Sequence, residues 1–467
     1  MTETRPLWNL LRTILVCAIF GYLAYWGTIK VLGLAFGENS EAEDVVYDAG
    51  ILAEEDVHVA DIHAAVQLIQ ERWSYLDHRT EISGLDLQAL EAEALALLEQ
   101  GEDHEVGFKT AMARLIAGLH DGHAFVQFSD KDLPGDFRWP FHLMEVEEGM
   151  MISSVAEGIT EVSPGDILLS VDGRDLEAWI TEKEDFVFAS TPTSRRLAAI
   201  EHLTRWDQVA ERTFVLQEAS GEEVTWVAQL LPSYRDVPAL EVLSDERKHE
   251  ILEGNIAYFR PGSFSPPPNR GWPGPPEGRD AILAESYAEI DRIIGELEGC
   301  RALVLDLRGN PGGTDLLGQF LVDRILKPGY TYYRLASMGS NRWGRSGKHG
   351  STAPKGEHFL RVPTVCIVDE KTFSTADNVA ACLADEHPDI RFVGRPNGAG
   401  TGAPRSFELP RTGTRITFCI MQVRTPKGRM GEGISVELDR AIRWTRNDVL
   451  LGSDPDLAAA VTLLRAD

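Results

Sequence analysis

Three short runs in the second half of the chain constrain its fold more than anything else. "RALVLDLRG" (Arg301–Gly309), "PTVCIVDE" (Pro363–Glu370) and "RFVG" (Arg391–Gly394) are apolar almost without interruption. A strand with one wet face alternates apolar and polar residues; a strand covered on both faces does not. "NIAYFR" (Asn255–Arg260) reads the same way. Helical patterns lie between these runs. "YAEIDRIIGELEGC" sets Tyr287, Ile290, Ile294 and Leu297 in one stripe, and the segment after Ser374 does so with Ala376, Val379, Ala380 and Leu383. Continuous apolar strands separated by helices predict an α/β core, a mostly parallel sheet covered by helices, over residues 245–467.

Two regions of different pattern precede it. Residues 50–135 read as a helical N-terminal domain, with Ile62, Val66, Ile69 and Trp73 on one face and the end at "MARLIAGLHDGHAFVQF" (Met112–Phe128). Residues 138–232 read as a small β-rich domain. "GMMISSV" is a strand, "SPGDILLSVDGRDL" turns at Asp172-Gly173, and "TFVLQEASGEEVTWVAQLL" is a hairpin closed near Ser220-Gly221. The Pro/Gly run Ser265–Gly278 and the basic run Gly339–Gly356 are predicted to be exposed loops, each a candidate substrate rim.

Residues 1–36 are expected to be a membrane anchor or signal. Thr13–Ile29 carries no charge, Arg5 and Arg12 precede it, and acidic residues follow. Roughly 17 to 25 apolar residues span a bilayer as helix, and the basic flank stays cytoplasmic. With no clear small-residue cleavage site, the expectation is an uncleaved anchor and an extracytoplasmic remainder, periplasmic or at the cell surface. The formal charge of −28 repels a phosphate backbone and disfavours nucleic acid as a partner. The five cysteines form no CxxC pair and have no histidine at ligand spacing. They read as small buried hydrophobes, with a disulfide among the last four open to an extracytoplasmic domain. No metal or organic cofactor is expected.

Ser374, in "VDEKTFSTADNVAACLAD" (Val368–Asp385), stands where an apolar strand stops and a helix begins. Helix N-termini offer unpaired N–H groups and positive dipole, which suit an oxyanion. The same position suits a plain N-cap. "VLDLRGNPGGT" (Val304–Thr314) follows another buried strand, and its glycines let main-chain N–H groups converge on an anion. In a parallel sheet both loops fall at the carboxyl edge, where ligands bind.

Together with "GEGISVELDRAI" (Gly431–Ile442), these segments resemble the serine peptidases that include the tail-specific (C-terminal-processing) and tricorn-type proteases. The resemblance implies a crotonase-like catalytic core and a PDZ-like character for residues 138–232. It implies Ser374 as nucleophile, and the N–H groups of Gly313 (or Gly312) and Thr375 as the oxyanion hole. It also frames the choice of base. Where the serine–lysine branch carries its lysine, this chain has Ala399. Lys371 precedes the nucleophile in a charged turn, and His387 sits roughly 20 Å up the helix at 1.5 Å per residue. His123, in "GLHDGHAFV", matches the histidine of the tricorn-like branch, related to the retinoid-binding proteins, with His120 a weaker candidate. Glu432 is expected to orient His123, with Glu437 and Asp439 as alternatives. The expectation is a serine endopeptidase of the Ser-His branch acting on unfolded or C-terminally exposed peptides. The alternatives are a non-catalytic ligand- or peptide-binding protein on the same scaffold and a serine–lysine enzyme using Lys371.

Overall fold

The structure is a computed structural model, and it describes residues 47–465 except residue 102 and segments 129–136, 207–208, 233–236, 238–246, 267–275, 340–341 and 344–346. The expected anchor within residues 1–36 lies outside the described residues. Among those described, no helix is long and apolar enough to cross a membrane.

The N-terminal region is helical: α1 (Val57–Arg72), α2 (Leu76–Ser83), α3 (Leu87–Gln100) and α4 (His104–Ala117). Asp56, Asp86 and Asp103 cap α1, α3 and α4 with their carboxylates, satisfying N–H groups that the first turn leaves free. A short strand, β1 (Phe125–Gln127), follows. The next unit is an antiparallel sheet of β2 (Phe141–Val146), β3 (Gly149–Val155), β4 (Ile167–Val171), β5 (Glu211–Gln217) and β6 (Glu223–Gln229), paired in that order. Two helices, α5 (Leu176–Lys183) and α6 (Pro192–Leu203), lie between β4 and β5 in sequence and pack on a core of Trp139, Phe141, Phe214 and Trp226.

The remaining elements build the core sheet, its covering helices and two smaller sheets. In chain order they are β7 (Lys248–Leu252), β8 (Ile256–Arg260), α7 (Pro276–Leu297), β9 (Ala302–Asp306), α8 (Asp315–Ile325), β10 (Tyr333–Gly339), β11 (Gly347–His349), β12 (Thr364–Val368), α9 (Thr375–Glu386), β13 (Ile390–Gly394), β14 (Pro404–Glu408), β15 (Arg415–Cys419), β16 (Met421–Arg424), β17 (Arg440–Ala441) and α10 (Pro455–Arg465). The sheet order is β7-β8-β9-β12-β13-β17, antiparallel only at β7–β8. Successive residues of a strand face opposite sides. On β9, Leu303 and Leu305 join the cluster under α7, α8 and α9, while Ala302 and Val304 join the cluster under α10. Both faces are dry, which is why the sequence of β9 does not alternate.

The expected loop at Gly339–Gly356 is partly strand. Gly347–His349 pairs antiparallel with Tyr333–Leu335 in β10, which also pairs with Arg342–Trp343 and with β16. Its exposed, polar side chains hid a strand that exists through main-chain pairing. The other predicted loop, Ser265–Gly278, lies mostly outside the described residues.

One joint matters for function. Ile416, Phe418 and Cys419 on β15 are buried in the same cluster as Ile62, Ile69, Trp73 and Leu115 of the helical region. β1 adds to β15, Phe125 opposite Thr417. The helical region is thereby fixed to the sheet of β14 and β15, and the turn before β1, with His123, is held against it.

Candidate active site

The loops after β9, β12 and β13 meet at the carboxyl edge of the core sheet. Main-chain bonds lock them together: Phe373 N–H to Asn310 O (3.0 Å), Gly398 N–H to Thr372 O (2.9 Å) and Ser374 N–H to Gly400 O (3.1 Å). Thr372 Oγ1 donates to Leu307 O at 2.9 Å. Arg308, the arginine of the Gly-rich loop, is 1% exposed and holds Asp306, Asp454 and Asp456 at 2.7, 2.8 and 3.1 Å. It builds the sheet edge rather than meeting a ligand.

Ser374 sits at the strand-to-helix turn with φ +58° and ψ −118°. A non-glycine residue there costs about 1–3 kcal/mol and persists only when its surroundings enforce it. The surroundings do so. Asp377 Oδ2 also accepts the Ser374 N–H, at 3.0 Å, and takes Gly400 N–H at 2.9 Å; its Oδ1 takes Ala399 N–H at 3.2 Å. Burial pushes this carboxyl up to about 7, while the donors around it pull down. Strain of this kind at a serine thrusts the hydroxyl out of the turn, as it does in nucleophile elbows.

The hydroxyl meets His123. Nε2 of the ring lies 3.1 Å from Ser374 Oγ, although 251 residues separate the two. His123 is 2% exposed and tilts against Phe373, ring centroids 4.7 Å apart. Gly122 makes the approach possible, because a Cβ there would come within 2.7 Å of both the Phe373 ring and Ser190 Oγ. Burial lowers the pKa of His123 below its ordinary 6.5, with nearby Asp121 working the other way. A base must be neutral to act. The acid limb of a kcat/KM profile is therefore expected below pH 6.5, and a limb at or above that value would contradict this setting.

Asp121 is the residue that sequence reasoning passed over. Its Oδ1 accepts the His123 main-chain N–H at 2.9 Å, and its Oδ2 accepts Trp73 Nε1 at 2.9 Å and Cys419 N–H at 3.1 Å. The "DGH" string was the available signal, since a carboxylate two residues before a histidine can turn back on it. Glu432, expected on the ring, enters the same buried cluster but spends its oxygens elsewhere. Oε1 takes Arg79 Nη2 at 2.9 Å and Oε2 takes Thr401 N–H at 2.7 Å. Among the described residues, His123 Nδ1 has no hydrogen-bond partner. The reason is competition: the Arg79 guanidinium, 4% exposed, is the stronger partner for a buried carboxylate. Burial first, then Asp121, push Glu432 up to about 8 against the pull of Arg79. Asp439 accepts the Phe392 N–H at 2.8 Å and is structural.

The Gly312-Gly313 pair presses on the Ser374 turn. A Cβ on Gly312 would lie 2.7 Å from Ser374 Cβ and 2.8 Å from Thr375 N. The Gly312 N–H is already given to Asn310 Oδ1, at 2.9 Å. That narrows the expected oxyanion donors to Gly313 and Thr375. Lys371 points away: its Nζ lies 2.8 Å from Glu201 and its side chain is 43% exposed. Burial works to lower its pKa, but Glu201 holds it above the usual lysine value. His387 is the C-cap of α9, at the far end from Ser374. Cys300, Cys366, Cys382 and Cys419 are free, buried thiols.

Residues 255–442, which contain the Gly312-Gly313 loop, Ser374 and Glu432, match the family model of Peptidase family S41. Over these residues the chain is similar to the S41 peptidases. No curated protein sequence matches it. Among solved structures, that of mature CPAF complexed with lactacystin aligns with TM-score 0.71 at 15% identity, covering 88% of this peptidase and 98% of that chain. Mature CPAF aligns at 0.68 and 16%, covering 84% and 93%. A putative peptidase from Parabacteroides merdae aligns at 0.52 and 15%, covering 87% and 96%. At such identities the likeness concerns the fold, and it extends beyond residues 255–442 over most of the peptidase's length.

Proposed function

We propose that this peptidase cleaves peptide bonds with Ser374 as nucleophile and His123 as general base. The observation that carries the reading is the 3.1 Å contact between Ser374 Oγ and His123 Nε2 on a strained strand-to-helix turn. Ser374 Oγ attacks the peptide carbonyl as Nε2 takes its proton. The carbonyl oxygen becomes an oxyanion held by the N–H groups of Gly313 and Thr375, at the positive end of α9. The protonated ring then gives its proton to the leaving amine, and water repeats the sequence on the acyl-enzyme. Asp121 supplies the negative field that stabilises the imidazolium; Glu432, raised to about 8, adds to it only once ionised, and from within this cluster rather than by a direct bond to the ring.

Substrates are unfolded or C-terminally exposed chains. Residues 138–232 serve as a PDZ-like docking module beside a crotonase-like core, and Thr13–Ile29 anchors the peptidase on the extracytoplasmic side of a membrane.

A fluorophosphonate probe tests the chemistry. Wild type is expected to label, Ser374→Ala and His123→Ala to lose labelling, and Lys371→Ala to keep both labelling and turnover within about twofold, as expected of a surface substitution outside the site. Loss of activity in Lys371→Ala alone would point to a serine–lysine dyad. Failure of folded wild type to label would favour the binding-protein alternative.

A further inference from the structure

Asp121, His123 and Cys419 form a second chemical constellation behind the nucleophile. A ring nitrogen of His123, an Asp121 carboxylate oxygen and Cys419 Sγ all lie within 4.8 Å of one another. The three residues are 1%, 2% and 0% exposed. Nε2 faces Ser374, and Nδ1, the ring nitrogen nearer the main chain, is buried with no hydrogen-bond partner. The Cys419 thiol stands 3.6 Å from Asp121 Oδ1. Thiolate, imidazole and carboxylate form a donor set suited to zinc, which takes four ligands tetrahedrally. A position left after three protein ligands is open to water.

We propose that a thiophilic divalent cation, zinc above all, binds Cys419 Sγ, His123 Nδ1 and an Asp121 oxygen and switches the peptidase off. This rests on the Ser374–His123 reading above. The chemistry dictates the sign. A catalytic neutral imidazole keeps its proton on Nδ1 and offers the Nε2 lone pair to the Ser374 hydroxyl. Metal binding forms a bond from the Nδ1 lone pair, so the ring proton must sit on Nε2, facing Ser374. That nitrogen can then donate but cannot accept. The Cys419 S–H bond breaks as the metal–sulfur bond forms, and its proton leaves to solvent. No electron is transferred. The cation's two positive charges meet the Cys419 thiolate and the Asp121 carboxylate, so the three-ligand site ends neutral, one unit more positive than the metal-free thiol and carboxylate.

Cys419 touches neither Ser374 nor the oxyanion donors, so it can be changed without removing the machinery. The test uses purified full-length peptidase, freed of metal, with added zinc. Hydrolysis and fluorophosphonate labelling are expected to fall to near zero at about one equivalent of tightly bound zinc and to return with EDTA. Cys419→Ala and Cys419→Ser are expected to keep basal activity and to need at least about 10- to 100-fold more zinc, since even losing an outer-shell partner of a metal ligand costs that much affinity. Cobalt gives a readout independent of activity: a thiolate-to-cobalt charge-transfer band in wild type and in Ser374→Ala, absent from both Cys419 variants. Equal zinc sensitivity of wild type and the two variants, or no such band in wild type, would overturn the proposal. If metal-free wild type does not label at all, the peptidase reading fails, and the cobalt band still decides whether the metal site exists.

Discussion

His123→Ala is expected to lower kcat by on the order of 10⁴- to 10⁶-fold while the protein stays folded, and Ser374→Ala to do the same. The size follows from the unit the two residues form. A serine hydroxyl is a weak nucleophile at neutral pH and needs a base within hydrogen-bond reach. Among the described residues, the base in contact with Ser374 Oγ is His123, at 3.1 Å. The nearest rival in sequence, Lys371, is engaged with Glu201 and turned outward. The double variant should therefore be barely worse than either single one, because removing one partner already disables the other. Residual turnover would come from the Gly313 and Thr375 donors and from binding. The stability cost should be modest, about 1–3 kcal/mol, since the ring's main packing partner is Phe373. Thermal melts beside single-turnover kinetics separate the two effects. A His123→Ala variant within tenfold of wild type would remove the proposed mechanism.

How much of this could be read from sequence depended on how far apart the interacting groups lie. The core sheet was legible because its signal is local: each strand of residues 256–394 shows its own two-sided burial, and α9 shows its own stripe. Ser374 was legible as a strand-to-helix junction beside a glycine-rich loop. His123 was not legible from periodicity or spacing; only resemblance to a family singled it out. Its position depends on three segments that folding brings together through Trp73 Nε1, the Asp121 carboxylate and the β15 main chain. Arg79 gave no signal at all in "YLDHRTEIS", where it reads as a charge on a polar helix. Glu432 lies in the buried cluster behind His123 with its oxygens on Arg79 and Thr401, and a sequence does not show which groups reach those oxygens first. The strand at Gly347–His349 was missed for the converse reason, its pattern being polar while its stability comes from the β10 main chain.

Arg79 is where the largest structural effect is expected. Arg79→Ala should destabilise the peptidase by about 3–5 kcal/mol, the usual consequence of removing one member of a buried ion pair. The guanidinium is 4% exposed and ties three places at once: it donates to His120 O, to Ser190 O at 3.1 Å and to Glu432 Oε1 at 2.9 Å. It also fills the space against Gly433, where a Cβ would come within 2.5 Å of Nη1. Its loss strands two buried carbonyls and a carboxylate that is 0% exposed. The carboxylate makes the loss depend on pH. Burial already raises the pKa of Glu432 above its ordinary 4.5, to about 8. Without Arg79 the ionised form loses its main source of stabilisation, so the folded-state value rises further. A carboxyl raised in the folded state costs nothing below its unfolded value and costs more as pH rises through the folded one. The destabilisation by Arg79→Ala should therefore stay level from pH 4.5 to about pH 8 and grow above pH 8, and adding Glu432→Gln to it should recover part of the loss at high pH. Urea unfolding of the two single variants and the double variant at both ends of that range closes the cycle. Because the His120 carbonyl held by Arg79 lies three residues before His123, kcat should fall along with stability. A pH-independent cost, or one under about 1 kcal/mol, would mean that the Arg79–Glu432 pair neither holds the turn nor sets the charge behind the base.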